Sequence, residues 1–138
     1  MPALRFYYSD SIENFLRKPT NEIVGNLALA HAHDINQKTS MSWVEEIDIL
    51  KSALANFSGR GSVYFEYNIP RMGRRADVVA LIDGIVLVME FKTSEQEFTR
   101  ASEVQVWDYA LDLKNFQQGS RDRVLIPILV APKERNKN

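Results

Sequence analysis

Arg74-Arg75-Ala76-Asp77-Val78-Val79-Ala80-Leu81-Ile82-Asp83-Gly84-Ile85-Val86-Leu87-Val88-Met89-Glu90-Phe91-Lys92 is the stretch on which the reading of the chain turns. Two apolar, β-branched-rich runs flank Asp83-Gly84, a dipeptide that accepts the positive φ angles of a tight type I′ turn. The pattern predicts an antiparallel hairpin. Both runs are apolar at nearly every position, so neither face reads as solvated and the hairpin is expected centrally in a sheet. Against that background, Asp77 lies near the start of the first strand, and Glu90 and Lys92 lie at the end of the second. Glu90 and Lys92 are two apart and project from one face. Folding at Asp83-Gly84 brings the start of one strand beside the end of the other. Two carboxylates and an ammonium are therefore expected together at one end of the hairpin.

Buried charge of this kind needs partners, because leaving it unpaired costs several kcal/mol. One reading is a salt-bridge set in which Lys92 neutralises an acid. The other is a cation site, with Asp77, Glu90 and the Phe91 carbonyl as hard oxygen ligands for Mg²⁺ and Lys92 beside a metal-bound water. The pattern alone leaves both open.

Upstream, residues 1–8 are aromatic and ambiguous. Asp10 or Ser11 is placed to cap a short helix carrying Ile12, Phe15 and Leu16, ended by Pro19. Thr20 is expected to cap a second helix with Ile23, Leu27 and Ala30 along one face. His31 and His33 point to different sides of a helix, make a poor chelating pair, and read as surface or loop residues. Residues 34–40 read as a polar loop. Ser42-Trp43-Val44-Glu45 has capping-box form. Trp43, Ile47, Leu50, Leu54 and Phe57 then make an apolar helical stripe. Glu46 falls within that stripe, where an acid needs a partner or reaches solvent at its edge. Residues 58–62 form a glycine-rich turn, residues 63–69 a strand, and Pro70 ends it or marks an edge. Arg71, Arg74 and Arg75 gather just before Asp77, either as a solvated turn and counter-charges or as forks that match phosphate.

Downstream of the hairpin, residues 98–116 read as a long helix. Gln105 and Tyr109 stack one turn apart on one face, while Val104, Trp107 and Leu111 form a separate apolar stripe expected to pack on the sheet. Gly119 and Ser120 make a turn, residues 124–130 a further buried strand broken at Pro127, and residues 132–138 a polar tail. Helix, strand, hairpin, helix, strand gives an α/β (α+β) fold: a mixed sheet of about four strands flanked by helices. The connection into the last strand is expected to be a right-handed crossover to a parallel neighbour.

Asp77, a hairpin, and then Glu90-Phe91-Lys92 resemble the D…(D/E)xK core of the PD-(D/E)xK nuclease superfamily, with Ala76 where that family's degenerate proline half stands. Gln105-Val106-Trp107-Asp108-Tyr109 is similar to the QxxxY motif of its RecB-like branch, and Glu46 sits where that branch places a helical glutamate. The run from Phe65 to Asp77 resembles the nuclease-like N-terminal region of bacterial proteins that continue into a P-loop helicase. The resemblance covers most of the chain from Trp43 onward and implies a restriction-endonuclease-like core. It implies Glu46, Asp77, Glu90 and the Phe91 carbonyl as ligands of Mg²⁺ or Mn²⁺, and Asp77, Glu90, Lys92, Gln105 and Tyr109 as catalytic residues. Arg71, Arg74 and Arg75 would contact nucleic acid, DNA before RNA. The implied activity is hydrolysis of phosphodiester bonds, coupled to a helicase region of the same full-length chain. The other reading of the same fold is a catalytically inactive nucleic-acid-binding or docking module.

The 138 residues suit one domain, with residues 1–41 as a helical extension within it, expected to be the N-terminal part of a longer protein. Zero cysteines exclude a disulfide framework and thiolate zinc sites and fit a cytoplasmic protein. No apolar run approaches the roughly 20 residues of a membrane span, and the N-terminus does not read as a secretory signal. A net charge of −1 argues against non-specific coating of nucleic acid, while leaving room for a local basic patch.

Overall fold

A computed structural model describes residues 4–32, 40–69, 73–91, 104–111 and 123–130. In chain order these form β1 (Tyr8–Ser11), α1 (Ile12–Arg17), α2 (Thr20–His31), α3 (Ser40–Leu54), β2 (Gly61–Ile69), β3 (Arg74–Ile82), β4 (Ile85–Phe91), α4 (residues 104–111) and β5 (Leu125–Val130). The sheet has the order β1-β2-β3-β4-β5, antiparallel except for the parallel pair β4–β5. This is the mixed α/β architecture expected, with five strands instead of about four. The additional strand is β1, which runs from Tyr8, the last residue of the ambiguous aromatic stretch, through Asp10 to the capping Ser11. No helix among the described residues is long and apolar enough to cross a membrane.

The hairpin sits where its apolar character requires, with β3 at the centre of the sheet. Asp83 and Gly84 have φ of 52° and 82°, as the two central residues of a type I′ turn must. Arg60 closes this end: its carbonyl accepts from Asp83 N–H at 3.1 Å, and its guanidinium grips both carboxylate oxygens of Asp83. Next to it, Gly61 has no room for a side chain, since a Cβ would stand 1.7 Å from the Leu81 carbonyl oxygen.

Each face of the sheet carries its own core. On one, α1, α2 and α3 cover Val63, Phe65, Val78, Ala80, Ile82, Met89 and Phe91 with Ile12, Phe15, Ile23, Leu27, Trp43, Ile47, Leu50 and Leu54. Fully burying an Ile, Leu or Phe side chain contributes about 1.5–3 kcal/mol, so this layer supplies most of the driving force. Ser11 caps α1 by accepting from Asn14 N–H at 3.1 Å. The far end of α1 is closed by Lys51 of α3, whose ammonium donates to the carbonyls of Phe15, Leu16 and Lys18 at 2.7, 3.3 and 2.5 Å. A lysine thus satisfies carbonyls that a short helix leaves without intrahelical donors.

Two helix starts differ from the sequence reading. Pro19, not Thr20, occupies the N-cap position of α2, and the Thr20 hydroxyl instead donates to Asp48 at 3.2 Å. Helix α3 begins at Ser40, so Ser42 lies inside it and the capping-box pattern does not mark its start. His31 ends α2 and packs edge-on against Trp43, with ring centroids 5.5 Å apart. His33, the loop over residues 34–39, Pro70, the turn at Gly119 and Ser120, and the tail lie outside the described residues.

On the other face, α4 covers Ile69, Ala76, Val79, Val86 and Val88. Here the packing stripe is the reverse of the one expected. Val106, Tyr109 and Ala110 are buried, whereas Val104, Trp107 and Leu111 are about half exposed. The side chains at i, i+3 and i+4 that pack include one small residue and one phenol whose ring is itself apolar, which lets the helix sit close on the valine-rich sheet. Strand β5 is partly rather than fully buried, and its Pro127 lies opposite Val88. That suits the end position of β5 in the sheet order, because proline cannot donate to a second neighbour.

At the outer edge, burial alone would raise the Asp10 carboxyl, but hydrogen bonds from Lys18, Tyr8 and Asn14 outweigh it and hold Asp10 below the usual carboxylate range. Two outcomes follow for stability. Gly61→Ala should cost about 1–3 kcal/mol in urea denaturation, as overpacking against a fixed backbone does; an unchanged midpoint would show that β2 shifts freely. Because its folded-state pKa is depressed, Asp10 stabilises the fold fully above its ordinary value of 3.8 and progressively less as pH falls through the lower folded value. Urea midpoints followed from neutral to acid pH should therefore fall less steeply for Asp10→Asn than for the wild type.

Candidate active site

The register of the hairpin carries Asp77 and Glu90 into one row. β3 and β4 pair from Ile82↔Ile85 to Val78↔Met89, and the next row on this register sets Asp77 opposite Glu90. There the backbone ladder stops and side chains take over. Asp77 N–H donates to Glu90 Oε1 at 3.0 Å, and Phe91 N–H donates to Asp77 Oδ2 at 2.7 Å. Each acid thus satisfies a backbone donor at the opening of the strands. Hydrogen bonds to charged acceptors contribute about 1.5–3 kcal/mol each, so the pair holds this end of the hairpin in place.

The opening coincides with a change in how the strands face. Val63 and Phe65 of β2 and Val78 and Ala80 of β3 lie in the core under α1–α3. Beyond them, Tyr67 and Ile69 of β2 and Ala76 of β3 belong to the core under α4. Alternation is broken in the same row on both strands, at Glu66 and Asp77. Glu66 is buried at 8 % exposure and has φ of 55°, a left-handed conformation that costs a non-glycine residue about 1 kcal/mol or more. The register between Phe65↔Val78 and Tyr67↔Ala76 places Glu66 across from Asp77. Sequence reading passed over Glu66; the available signal was a lone acid inside an otherwise aromatic and apolar strand.

Helix α4 brings a phenol to this row. Tyr109 is 1 % exposed, and its oxygen accepts from Gln105 Nε2 at 2.8 Å, one turn away. Burial pushes the Tyr109 phenol up to about 12, with the charge of Glu90 adding to the rise, Arg74 opposing it through charge and a hydrogen bond, and Asp77 contributing last. The charges of Glu90, Arg74 and Asp77 thus act on the Tyr109 phenol, which Gln105 holds from the same helix.

The remaining candidates are placed differently. Glu46 is 1 % exposed on the packing face of α3, between Trp43 and Leu50, and so does not reach solvent at the edge of the stripe. The Phe91 side chain lies in the core under α1–α3, on the other face from α4. Arg75 is engaged in the fold: its guanidinium donates to the carbonyls of Glu66 and Leu4 at 2.7 and 2.8 Å and stacks 4.4 Å from the Tyr7 ring centroid. Arg74 is exposed. Lys92 and Arg71 lie outside the described residues. Among the described residues, no three of His, Asp and Glu gather into a cage for an ion.

The raised Tyr109 phenol has a measurable consequence. A group whose folded-state pKa lies above its unfolded value stabilises fully below the unfolded value and loses that contribution as pH rises toward the folded one. For Tyr109 the window runs from 10 to about 12. Urea midpoints should drop less across that window in Tyr109→Phe than in the wild type, and an identical drop would place the phenol in water.

Comparison of the chain with protein-family models, with curated proteins and with solved structures finds no match in any of the three.

Proposed function

We propose that this chain is a metal-dependent nuclease, hydrolysing phosphodiester bonds of DNA with RNA as the other substrate, and acting in the cytoplasm beside a helicase region. The observation that carries the reading is the row in which Asp77 meets Glu90 under Tyr109. The resemblance of Asp77, Glu90-Phe91-Lys92 and Gln105…Tyr109 to the PD-(D/E)xK pattern supplies the chemistry.

The donor set fits a hard divalent ion. Mg²⁺ is commonly held by one or two carboxylates and keeps several waters and substrate phosphate oxygens, so two acids from neighbouring strands suffice without a complete protein cage. Asp77 and Glu90 would hold it, with the Phe91 carbonyl as a further donor, and Glu46, buried on α3 beside the core of the other helices, is left out of this set. When bound, the ion supplies a water of lowered pKa and stabilises charge on the phosphate. Lys92, next to Phe91 in sequence, positions or deprotonates the attacking water. Tyr109 stays protonated at neutral pH and serves as a hydrogen-bond donor, held in place by the Gln105 amide. Arg74, and Arg71 with it, neutralises a neighbouring phosphate, whereas Arg75 works mainly in holding the N-terminal segment.

One observation favours a second reading, an inactive nucleic-acid-binding or docking module. Asp77 and Glu90 already accept backbone N–H groups, which gives both acids a structural task. Cleavage and metal binding separate the readings. The wild type should cleave DNA in Mg²⁺ or Mn²⁺ and stop on chelation. Glu90→Gln and Lys92→Ala should each lose about 100-fold or more in rate with unchanged circular dichroism. Mn²⁺ should raise the melting temperature of the wild type but not of Glu90→Gln. A folded wild type with neither cleavage nor a Mn²⁺ shift would leave the inactive module.

A further inference from the structure

The face that carries Tyr109 also carries a row of aromatic rings. Residues 5–7 run beside β2, tied by Tyr7 N–H to the Phe65 carbonyl at 2.9 Å and by Asn68 N–H to the Arg5 carbonyl at 2.7 Å. Phe6, Tyr64 and Tyr67 are all partly exposed. Phe6 meets Tyr64 edge-to-face with centroids 5.4 Å apart, and Tyr64 meets Tyr67 in the same manner at 6.1 Å. The Arg5 guanidinium lies 5.8 Å from the Tyr67 centroid. Tyr64 and Tyr67 border the core under α4, which fixes the face on which they stand. Arg74 follows directly: it is exposed, and it is two residues from Ala76, the cross-strand partner of Tyr67.

Rings that meet edge-to-face leave ring faces unused by those contacts, and aromatic faces next to guanidinium groups match the bases and phosphates of an unpaired strand. A duplex keeps its base faces stacked inside and gains nothing from such rings. We propose that Phe6, Tyr64 and Tyr67 form a stacking platform for single-stranded nucleic acid, with Arg5 and Arg74 on its phosphates, leading the strand toward Asp77 and Glu90. What becomes of the strand there rests on the nuclease reading; its binding does not.

The test uses the whole chain in EDTA, so that no cleavage intervenes, with a fluorescein-labelled oligothymidylate and a duplex of equal length followed by anisotropy. The single strand should bind more tightly than the duplex. Tyr64→Leu and Tyr67→Leu should each weaken it about tenfold, and Tyr67→Phe should leave it unchanged. A 5-iododeoxyuridine strand should photocrosslink to the peptide holding Tyr64 and Tyr67, which decides the matter if a leucine variant does not fold. Equal affinity for duplex, leucine variants that bind like the wild type, or crosslinks elsewhere would overturn the platform. Ring-dependent binding without metal-dependent cleavage would remove the nuclease reading alone, and cleavage without ring dependence would remove the platform alone.

Discussion

Two consecutive residues at positive φ, Asp83 and Gly84, set the pairing of β3 with β4, and that register determines which side chains meet six residues away on either side. A slip of one residue would send Asp77 and Glu90 to opposite faces, because side chains in a strand alternate. Several contacts defend the register. Arg60 clamps the Asp83 carboxylate, Gly61 lets β2 approach the Leu81 carbonyl, and the valines of both strands are committed to cores on opposite faces. The far end has no turn to hold it. There the two acids bind the backbone N–H of Asp77 and Phe91.

That reciprocal arrangement bears on chemistry as well as stability. A carboxylate accepting one N–H has its orientation fixed and retains acceptor capacity, since two oxygens offer about four lone-pair sites. Under the nuclease proposal, such hydrogen bonds would orient the two acids toward an ion, as they do in metal sites generally. The strained φ of Glu66 and the reversal of strand alternation fall in the same row. The distortion turns the ends of β2 and β3 so that Tyr67, Ile69 and Ala76 face α4.

The hairpin, its turn type, its central place in the sheet and the meeting of Asp77 with Glu90 were legible in the sequence, because a two-residue turn and period-two alternation are local rules. So was the stripe from Trp43 to Leu54, whose spacing admits one packing face. The stripe on α4 was not. Val104, Trp107 and Leu111 have the spacing of a core face, yet Val106, Tyr109 and Ala110 are the ones buried. Helical spacing offered both sets, and packing on the valine-rich sheet buried the set with the small residue. Strand β1 was equally hidden, since four residues carry too little periodicity to be read without the neighbour that pairs with them.

The sequence by itself determined an α/β chain built on one central hairpin, with acids placed to converge at its open end, since these follow from residue types and short-range geometry. Only the tertiary structure decided that Glu66 joins their row, that Arg75 is spent on the N-terminal segment while Arg74 stays exposed, and that Glu46 is wholly buried on α3. Each of those outcomes depends on which distant surfaces press together and on which donors are left over once the strands have paired. No local pattern encodes that choice; packing across the two faces of the sheet makes it.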